Sequence, residues 1–242
     1  MTGKTHLIGG AMAALGMITA SKGMSYGDMA TCFACCELGS LLPDIDTTSK
    51  ITEEDITFKG ISLGLQSLGV KHRGATHTIW ASALFGVLFF FLAKIMLSFA
   101  NSSQAFLIAC VVFLFIHADN SAYEIKKFGS VLAIAVYFLI PIVISRLPSN
   151  PLDALPSVQI NISALMVGLS VFFGCISHLV YDSFNPQNIL WLHPFSQKRI
   201  GVPFVNITTS SGMETIFAGV MSAICVVWVY MLYKAGYFPA PF

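Results

Sequence analysis

Charged side chains are scarce in this sequence. Of 242 residues, only 10% are Asp, Glu, Lys or Arg, whereas 55% are hydrophobic. Soluble globular domains carry about a quarter charged residues, so this chain lacks the polar surface that would keep such a domain in solution. The apolar stretches continue along the whole sequence without a low-complexity linker. They predict a single integral membrane domain over residues 1–242, with the lipid bilayer as its first partner.

Basic clusters and a disulfide framework are lacking as well. The formal net charge is +1, and no run of Lys and Arg indicates direct binding of nucleic acid. The six cysteines fall almost wholly inside apolar stretches, which is typical of small buried side chains rather than of extracellular disulfides. A thiolate zinc cluster of Cys32, Cys35 and Cys36 is the alternative interpretation.

The apolar residues form seven segments that cross, or nearly cross, a bilayer, for which about 20 apolar residues are needed. The first follows Lys4 and resembles a secretory signal, but no small-x-small cleavage site leads into a soluble domain, so we predict a retained helix. The fold class is therefore all-α, a polytopic transmembrane helix bundle with about five to seven membrane segments. The segments are Leu7–Ala20, Met29–Leu42, Thr78–Ala100, Gln104–His117, Val131–Ser145, Ile162–Tyr181 and Met213–Tyr233.

Two residues indicate where helices end and begin. Pro43 directly follows the second segment, and proline is common just beyond a helix C-terminus. Thr76 precedes the third segment at a position where its side chain would cap the helix.

Basic residues are distributed unevenly between the two predicted membrane faces, nine against four, which makes the richer face cytoplasmic by the positive-inside rule. The richer face carries Lys4, Lys50, Lys59, Lys71, Arg73, Lys126, Lys127, Lys198 and Arg199. The other face carries Lys22, Lys94, Arg146 and Lys234.

Histidines and aspartates collect on that same basic face, although hydropathy alone defined the topology. His178 and Asp182 are four residues apart near a helix end, so they share one face of the helix. Asp44 and Asp46 follow Pro43, where an extended backbone would direct alternate side chains the same way. Each pair can therefore hold one cation.

The remaining imidazoles come from two further segments. His72 and His77 lie on either side of Gly74, the first in a loop and the second at the start of a helix, and His6 lies near the N-terminus. Ionisable residues at membrane depth are costly and are functional candidates. The predicted metal ligands are His6, Asp44, Asp46, His72, His77, His178 and Asp182.

Taken singly, these residues have ordinary explanations. Asp44 and Asp46 could be loop carboxylates, and His178 could be a hydrogen-bonded histidine of the bundle. His72, beside Arg73, could contact lipid headgroups. Their convergence on one face is what favours a metal site.

Five other polar residues have open roles. His117 and Asp119 end the fourth segment and are interpreted first as a solvated helix end, with a metal ligand as the alternative. His193 could bind metal, substrate or nothing. Glu37, within an apolar segment, could be an outer partner of the site, a proton carrier or a buried acid. Glu214 suits the positive end of the last helix dipole.

Several polar and aromatic motifs follow one another along the chain in a fixed order. They are Thr5-His6, Leu42-Pro43-Asp44-Ile45-Asp46, His72-Arg73-Gly74-Ala75-Thr76-His77-Thr78, Ser177-His178 with Asp182, Leu190-Trp191, and Pro194. In this order they resemble the YdjM-type family of bacterial inner-membrane proteins, which are described as metal-dependent hydrolases and in some cases as LexA-binding. The resemblance covers about residues 1–98 and 165–220, with 101–160 as extra membrane segments outside the pattern. It implies a multi-pass protein of the bacterial inner membrane.

More remotely, the His-x-x-x-Asp pair with scattered His and Asp is similar to zinc-dependent phospholipase C and related single-strand nucleases. That likeness implies phosphoester hydrolysis at a site with several zinc ions.

Mixed imidazole and carboxylate ligands predict zinc, as one or two ions, with manganese or iron as alternatives. In the hydrolase hypothesis, water on the metal, with its pKa lowered to about 7, attacks a phosphoester or lipid-like substrate. Asp46 would act as base, and Arg73 would hold phosphate oxygens. The rival hypotheses are a non-catalytic metal-binding scaffold or regulator, and an ion-coupled transporter with a polar path through Glu37. The sequence does not indicate an oligomeric state.

Overall fold

A computed structural model describes residues 1–47, 55–98, 109, 112, 129–146 and 162–238. Within these ranges all regular structure is helical, apart from one isolated antiparallel bridge between Ile189 and Ile200. This confirms the predicted all-α fold class. The elements are α1 (Gly3–Ala20), α2 (Tyr26–Gly39), a 3-10 helix (Leu42–Asp46), α3 (Ile56–Ser67), α4 (Ile79–Met96), α5 (Gly129–Arg146), α6 (Ala164–Asp182) and α7 (Gly212–Lys234).

Six of the seven predicted segments coincide with helices α1, α2, α4, α5, α6 and α7. The remaining segment, Gln104–His117, lies outside the described residues except for positions 109 and 112. Among the described helices, α4, α6 and α7 are long and apolar enough to cross a membrane. The chain is therefore an integral membrane protein.

Helices α4 and α7 present apolar side chains outward. Leu84, Val226 and Met231 are more than 60% exposed, and only 6% of the apolar stretch of α7 is buried inside the protein. A contiguous apolar surface of this size marks a membrane-facing region in a folded protein. Lipid is the environment that such a surface requires.

Helix α6 is the central element and packs against α1, α2 and α4. Its backbone comes very close to α2 at two glycines. A Cβ atom on Gly174 would overlap the carbonyl oxygen of Cys36, and one on Gly39 would overlap that of Val171. Small residues allow this approach between membrane helices, and it places the C-terminal end of α2 against the middle of α6, where the Ser40 carbonyl can reach His178.

The short helix α3 was not predicted, because its apolar residues do not form a long run. Asp55 caps it by accepting hydrogen bonds from the backbone N–H groups of Thr57 and Phe58, at 2.9 and 3.3 Å. The helix packs against the 3-10 helix, and Ser62 Oγ donates to the Thr47 carbonyl at 3.3 Å. It therefore covers the segment that carries the paired aspartates.

Two local predictions were wrong. The backbone around Pro43 is not extended, since Pro43 lies near the start of the 3-10 helix, where a missing N–H is tolerated. The cap of α4 is Thr78, whose Oγ1 accepts from the Ala81 N–H at 3.1 Å. Thr76 is left free for a different bond, to Asp46.

Candidate metal centre

Four separate segments bring the seven predicted ligands to one end of the bundle. They are the first turn of α1, the 3-10 helix, the loop before α4 and the last turn of α6. Two sets of three residues each present ligand atoms that all lie within 4.8 Å of one another, as metal sites require. The inner set is His6, His178 and Asp182, and the outer set is Asp44, His72 and His77.

The two sets touch. His77 Nε2 lies 3.2 Å from His178 Nε2, and Asp44 Oδ1 lies 3.3 and 3.5 Å from these two atoms. Asp182 Oδ2 is 3.7 Å from each of them. With zinc bonds of about 2.0–2.1 Å, ligand atoms in a tetrahedral site lie about 3.3 Å apart. The separations therefore suit a metal ion.

Helix packing sets the orientation of His178. Its Nδ1 lies 2.7 Å from the carbonyl oxygen of Ser40, which can only accept, so Nδ1 carries the hydrogen. Nε2 then presents its lone pair to the site, as a ligand must. Ser40 was not predicted, because a backbone carbonyl leaves no signal in the sequence.

Asp46 lies behind two of the imidazoles. His72 Nδ1 is 3.0 Å from its Oδ1, His77 Nδ1 is 3.4 Å from its Oδ2, and Thr76 Oγ1 donates to Oδ2. A carboxylate in this position fixes the ring and raises its basicity as a ligand. Asp46 belongs to neither ligand set, so its contacts suit an orienting role better than direct ligation.

A protonated His77 balances the charges of Asp44 and Asp46. Burial would raise the pKa of Asp46, but hydrogen bonds from His72 and His77 hold it at about 2. Burial likewise opposes ionisation of Asp44, yet the neighbouring His178 and His77 keep its pKa well below the usual range. Burial would lower the pKa of His77, but hydrogen bonds to Asp44 and Asp46 raise it to about 9.

His6 supplies the clearest test of whether the residues fit an ion. The side chain is fully buried, and neither ring nitrogen has a hydrogen-bond partner in the described structure. The ring stacks on His178 with centroids 3.7 Å apart, and Nε2 lies 3.5 Å from Asp182 Oδ1 without hydrogen-bond geometry. Leaving a buried polar group unpaired costs about 1–3 kcal/mol. Coordination of a cation by Nε2 removes that cost for one of the two nitrogens.

Two cationic groups surround Asp182 besides the histidines. Arg73 Nη2 lies 3.3 Å from Asp182 Oδ2, and Arg73 Nη1 donates to Asn185 Oδ1 at 3.1 Å. The amine of Met1 donates to Asp182 Oδ1 at 2.7 Å. Arg73 Nε, although buried, has no partner in the described structure, so one N–H remains available for another acceptor.

Glu214 holds the first turn of α1 in place. Its carboxylate accepts from the Thr2 N–H at 2.5 Å, from Thr5 Oγ1 at 2.8 Å and from the Ser210 N–H at 2.6 Å. The sequence predicted only that Glu214 interacts with the dipole of the last helix. The structure adds that Glu214 holds Thr5, the residue next to His6, in place.

Other polar candidates do not join the described ligand sets. His193 Nδ1 contacts Gln197 Nε2 at 3.2 Å, and the partly buried Glu37 lies within α2. His117 and Asp119 lie outside the described residues.

The apolar helices and the buried imidazole–carboxylate cluster define a class of protein: an integral membrane protein whose His and Asp residues could hold a metal ion. The chain matches the YdjM inner membrane protein family over residues 1–120 and 129–237, and it belongs to that family. This confirms the resemblance, and the match is wider than the regions that carried it, 1–98 and 165–220. No curated protein and no solved structure matches the chain.

Proposed function

We propose that this protein is a membrane-embedded metal-dependent hydrolase that holds two divalent ions, preferably zinc, and acts on a phosphoester or lipid-like substrate. The observation that carries the proposal is the environment of His6. A fully buried imidazole with two unpaired nitrogens, beside a carboxylate and a second histidine, is expected where an ion completes the structure.

The number of bound ions distinguishes a catalytic metal site from a structural one. One ion between His77, His178, Asp44 and Asp182 would have four protein ligands, the closed arrangement of structural zinc sites. It would leave His6 unpaired. Two ions would each have the three protein ligands of one set, and three ligands with an open position are typical of catalytic zinc.

Access to the site supports catalysis from one side. The side chain of His72 is 41% exposed and that of Asp44 is 16% exposed, whereas His6, His178 and Asp182 are buried. Water and a substrate group can therefore reach the outer set, while the inner set lies beneath it.

The chemical roles follow from the contacts. Divalent ions bound here would supply a Lewis acid and activate water near neutral pH. The base predicted for the reaction is Asp46, but it is occupied by His72, His77 and Thr76. The partly exposed Asp44 is therefore the better-placed candidate for that role.

Arg73 is proposed to bind the phosphate oxygens. Two of its nitrogens engage Asp182 and Asn185, which fixes the plane of the guanidinium. The unpaired Nε leaves a charged N–H donor, and such donors bond strongly to phosphate.

The segment after α6 favours a lipid-like substrate. Phe195 and Phe204 are 81% and 103% exposed, and Lys198 and Arg199 between them are exposed as well. Apolar and basic side chains together suit an anionic membrane surface. Phe195 packs against Trp80 in the first turn of α4, with ring centroids 5.6 Å apart, and His77 lies just before that turn, so lipid headgroups would lie near the site. We further propose that this face is cytoplasmic, on the basis of the Lys and Arg asymmetry.

Metal stoichiometry and turnover, measured together, test the proposal. Detergent-purified protein loaded with Zn²⁺ should bind two equivalents, and His6→Ala should bind one. The loaded protein should hydrolyse bis(p-nitrophenyl) phosphate or phosphatidylglycerol in vesicles, and chelation should stop the reaction. His193→Ala, a histidine outside both sets, should behave as wild type.

The scaffold hypothesis makes the opposite prediction. It is favoured by the burial of His6, His77 and His178, as in a closed structural site. One ion per chain, unchanged in His6→Ala, together with no turnover of either substrate, would overturn the hydrolase proposal in its favour.

A further inference from the structure

A cluster of three sulfur atoms lies between α1 and α2, apart from the His and Asp residues. Cys32 Sγ and Cys36 Sγ each lie 3.8 Å from Met17 Sδ. The two cysteines are four residues apart on α2, so they share one face of the helix, and both are fully buried. Both are free thiols.

The spacing of the sulfurs suits a shared ion. With metal–sulfur bonds of about 2.3 Å, two sulfur ligands in a tetrahedral or trigonal site lie about 3.8–4.0 Å apart. Both separations, 3.8 Å, agree with that value, although no ion is needed to explain the contact of one thiol with one thioether. What is informative is that one thioether meets two thiols.

The helix packing makes this arrangement rigid. Cβ atoms on Gly10 of α1 and Gly174 of α6 would each come within 3 Å of the Cys36 carbonyl oxygen. The backbone of α2 is thus held between two helices at the cysteine that carries one of the sulfurs. A preformed site of this kind loses little conformational entropy on binding.

A buried hydroxyl adds a second, independent observation. Four buried side-chain N or O atoms in the described structure have no hydrogen-bond partner; three belong to His6 and Arg73, and the fourth is Ser170 Oγ. Ser170 of α6 lies within reach of a weak hydrogen bond to the sulfurs of Cys32 and Cys36, although its hydroxyl makes no bond of standard geometry in the described structure. A thiolate would accept that hydrogen bond, so the site is equipped for the charged form of one cysteine.

We propose that Met17, Cys32 and Cys36 form a second metal site, specific for a soft monovalent ion of the Cu(I) type. Thiolate and thioether ligands together select Cu(I). On binding, the S–H bonds of Cys32 and Cys36 break, their two protons leave to water, and two Cu–S bonds form beside the bond to the Met17 thioether, with no change of oxidation state.

The test uses the full chain in detergent, reduced and free of metal, with Zn²⁺ added first to occupy the His and Asp residues. Cu(I), supplied anaerobically as its acetonitrile complex, is titrated against bicinchoninate as competitor. One equivalent should be retained, and X-ray absorption should show three sulfur ligands at about 2.3 Å and no nitrogen or oxygen ligands. A shell of nitrogen or oxygen, or complete loss of Cu(I) to the competitor, would overturn the proposal.

Matched variants identify the ligands. Cys32→Ser and Cys36→Ser should weaken Cu(I) binding by at least the 10–100-fold that loss of an outer partner costs. Cys225→Ser changes a cysteine on α7 and should have no effect. Met17→Leu conserves volume, so the fold should tolerate it. In this variant the number of sulfur ligands that X-ray absorption finds around Cu(I) should fall from three to two. Equal binding by Cys32→Ser, or three sulfurs in Met17→Leu, would contradict the assignment.

Discussion

The Nε2 atoms of His77 and His178 face each other at 3.2 Å, although the residues lie 101 positions apart in the chain. His178 Nδ1 is committed to the Ser40 carbonyl, and His77 Nδ1 faces Asp46. If both Nε2 atoms carried lone pairs, they would repel each other. A proton on one of them, or coordination of each to a metal ion, relieves this repulsion, and this links metal binding, pH and the helix packing that sets the distance.

The first prediction concerns metal content. His178→Ala removes a ligand of the inner set at the end of α6, so purified protein should lose the zinc that this set holds. His193→Ala is the matched control, because that side chain contacts Gln197 instead. Metal analysis by mass spectrometry compares the zinc content of the two variants. Full zinc occupancy in His178→Ala would show that His178 is not a ligand.

The second prediction concerns pH. In the ion-free protein the pKa of His77 is raised to about 9, so the proton stabilises the folded state fully below pH 6.5, and this contribution is lost as the pH rises through 9. Metal binding must displace that proton. Zinc affinity should therefore increase with pH, by up to about tenfold per unit, and level off near pH 9.

Competition with a chelator at pH 6.5, 7.5 and 8.5 measures this slope. His77→Gln should bind zinc more weakly. The slope of its zinc affinity against pH should correspond to one fewer proton released on binding. The same slope in the wild type and in His77→Gln would show that another group releases the proton.

The third prediction concerns the contact between α2 and α6. Gly174→Ala places a methyl group against the Cys36 carbonyl oxygen, and overpacking of this kind costs about 1–3 kcal/mol. Gly219→Ala on α7 meets no atom within 4 Å and should leave stability unchanged or slightly raised. Thermal unfolding in detergent distinguishes them, and equal melting temperatures would disprove the close contact.

The fourth prediction concerns orientation. Lys71 is exposed near the metal centre and Lys22 is exposed beyond the other end of α1, whereas position 50 on the same predicted face lies outside the described residues. In a Cys225→Ser background, Lys71→Cys should react with an impermeant maleimide only in inverted vesicles. Lys22→Cys should react only in intact spheroplasts. The reverse pattern would place the site outside the cell.

The sequence was informative where chemistry and hydropathy leave direct signals. The spacing of His178 and Asp182 and the paired aspartates predicted which residues would lie together, because charged groups in an apolar chain must be compensated. It could not separate Asp44 from Asp46. Asp44 faces Nε2 of His77 and Asp46 faces Nδ1, and this difference depends on a 3-10 turn where extended backbone was predicted.

Backbone partners and remote side chains were beyond prediction for a similar reason. The Ser40 carbonyl meets His178 only because two glycines allow α2 and α6 to approach. Glu214 reaches Thr5 across 209 positions of the chain. Contacts between helices of this kind depend on tertiary packing, which hydropathy does not encode.

The two ligand sets extend from His6 to Asp182 along the chain, and this has a consequence for biogenesis. His6 enters the membrane early in translation, whereas the inner set is complete only after the ribosome has added Asp182. Until then the imidazole of His6 lacks the other two residues of its set. Capture of an ion by the inner set would thus be a late event in assembly, and nascent chains that stop before Asp182 should be substrates for membrane proteolysis.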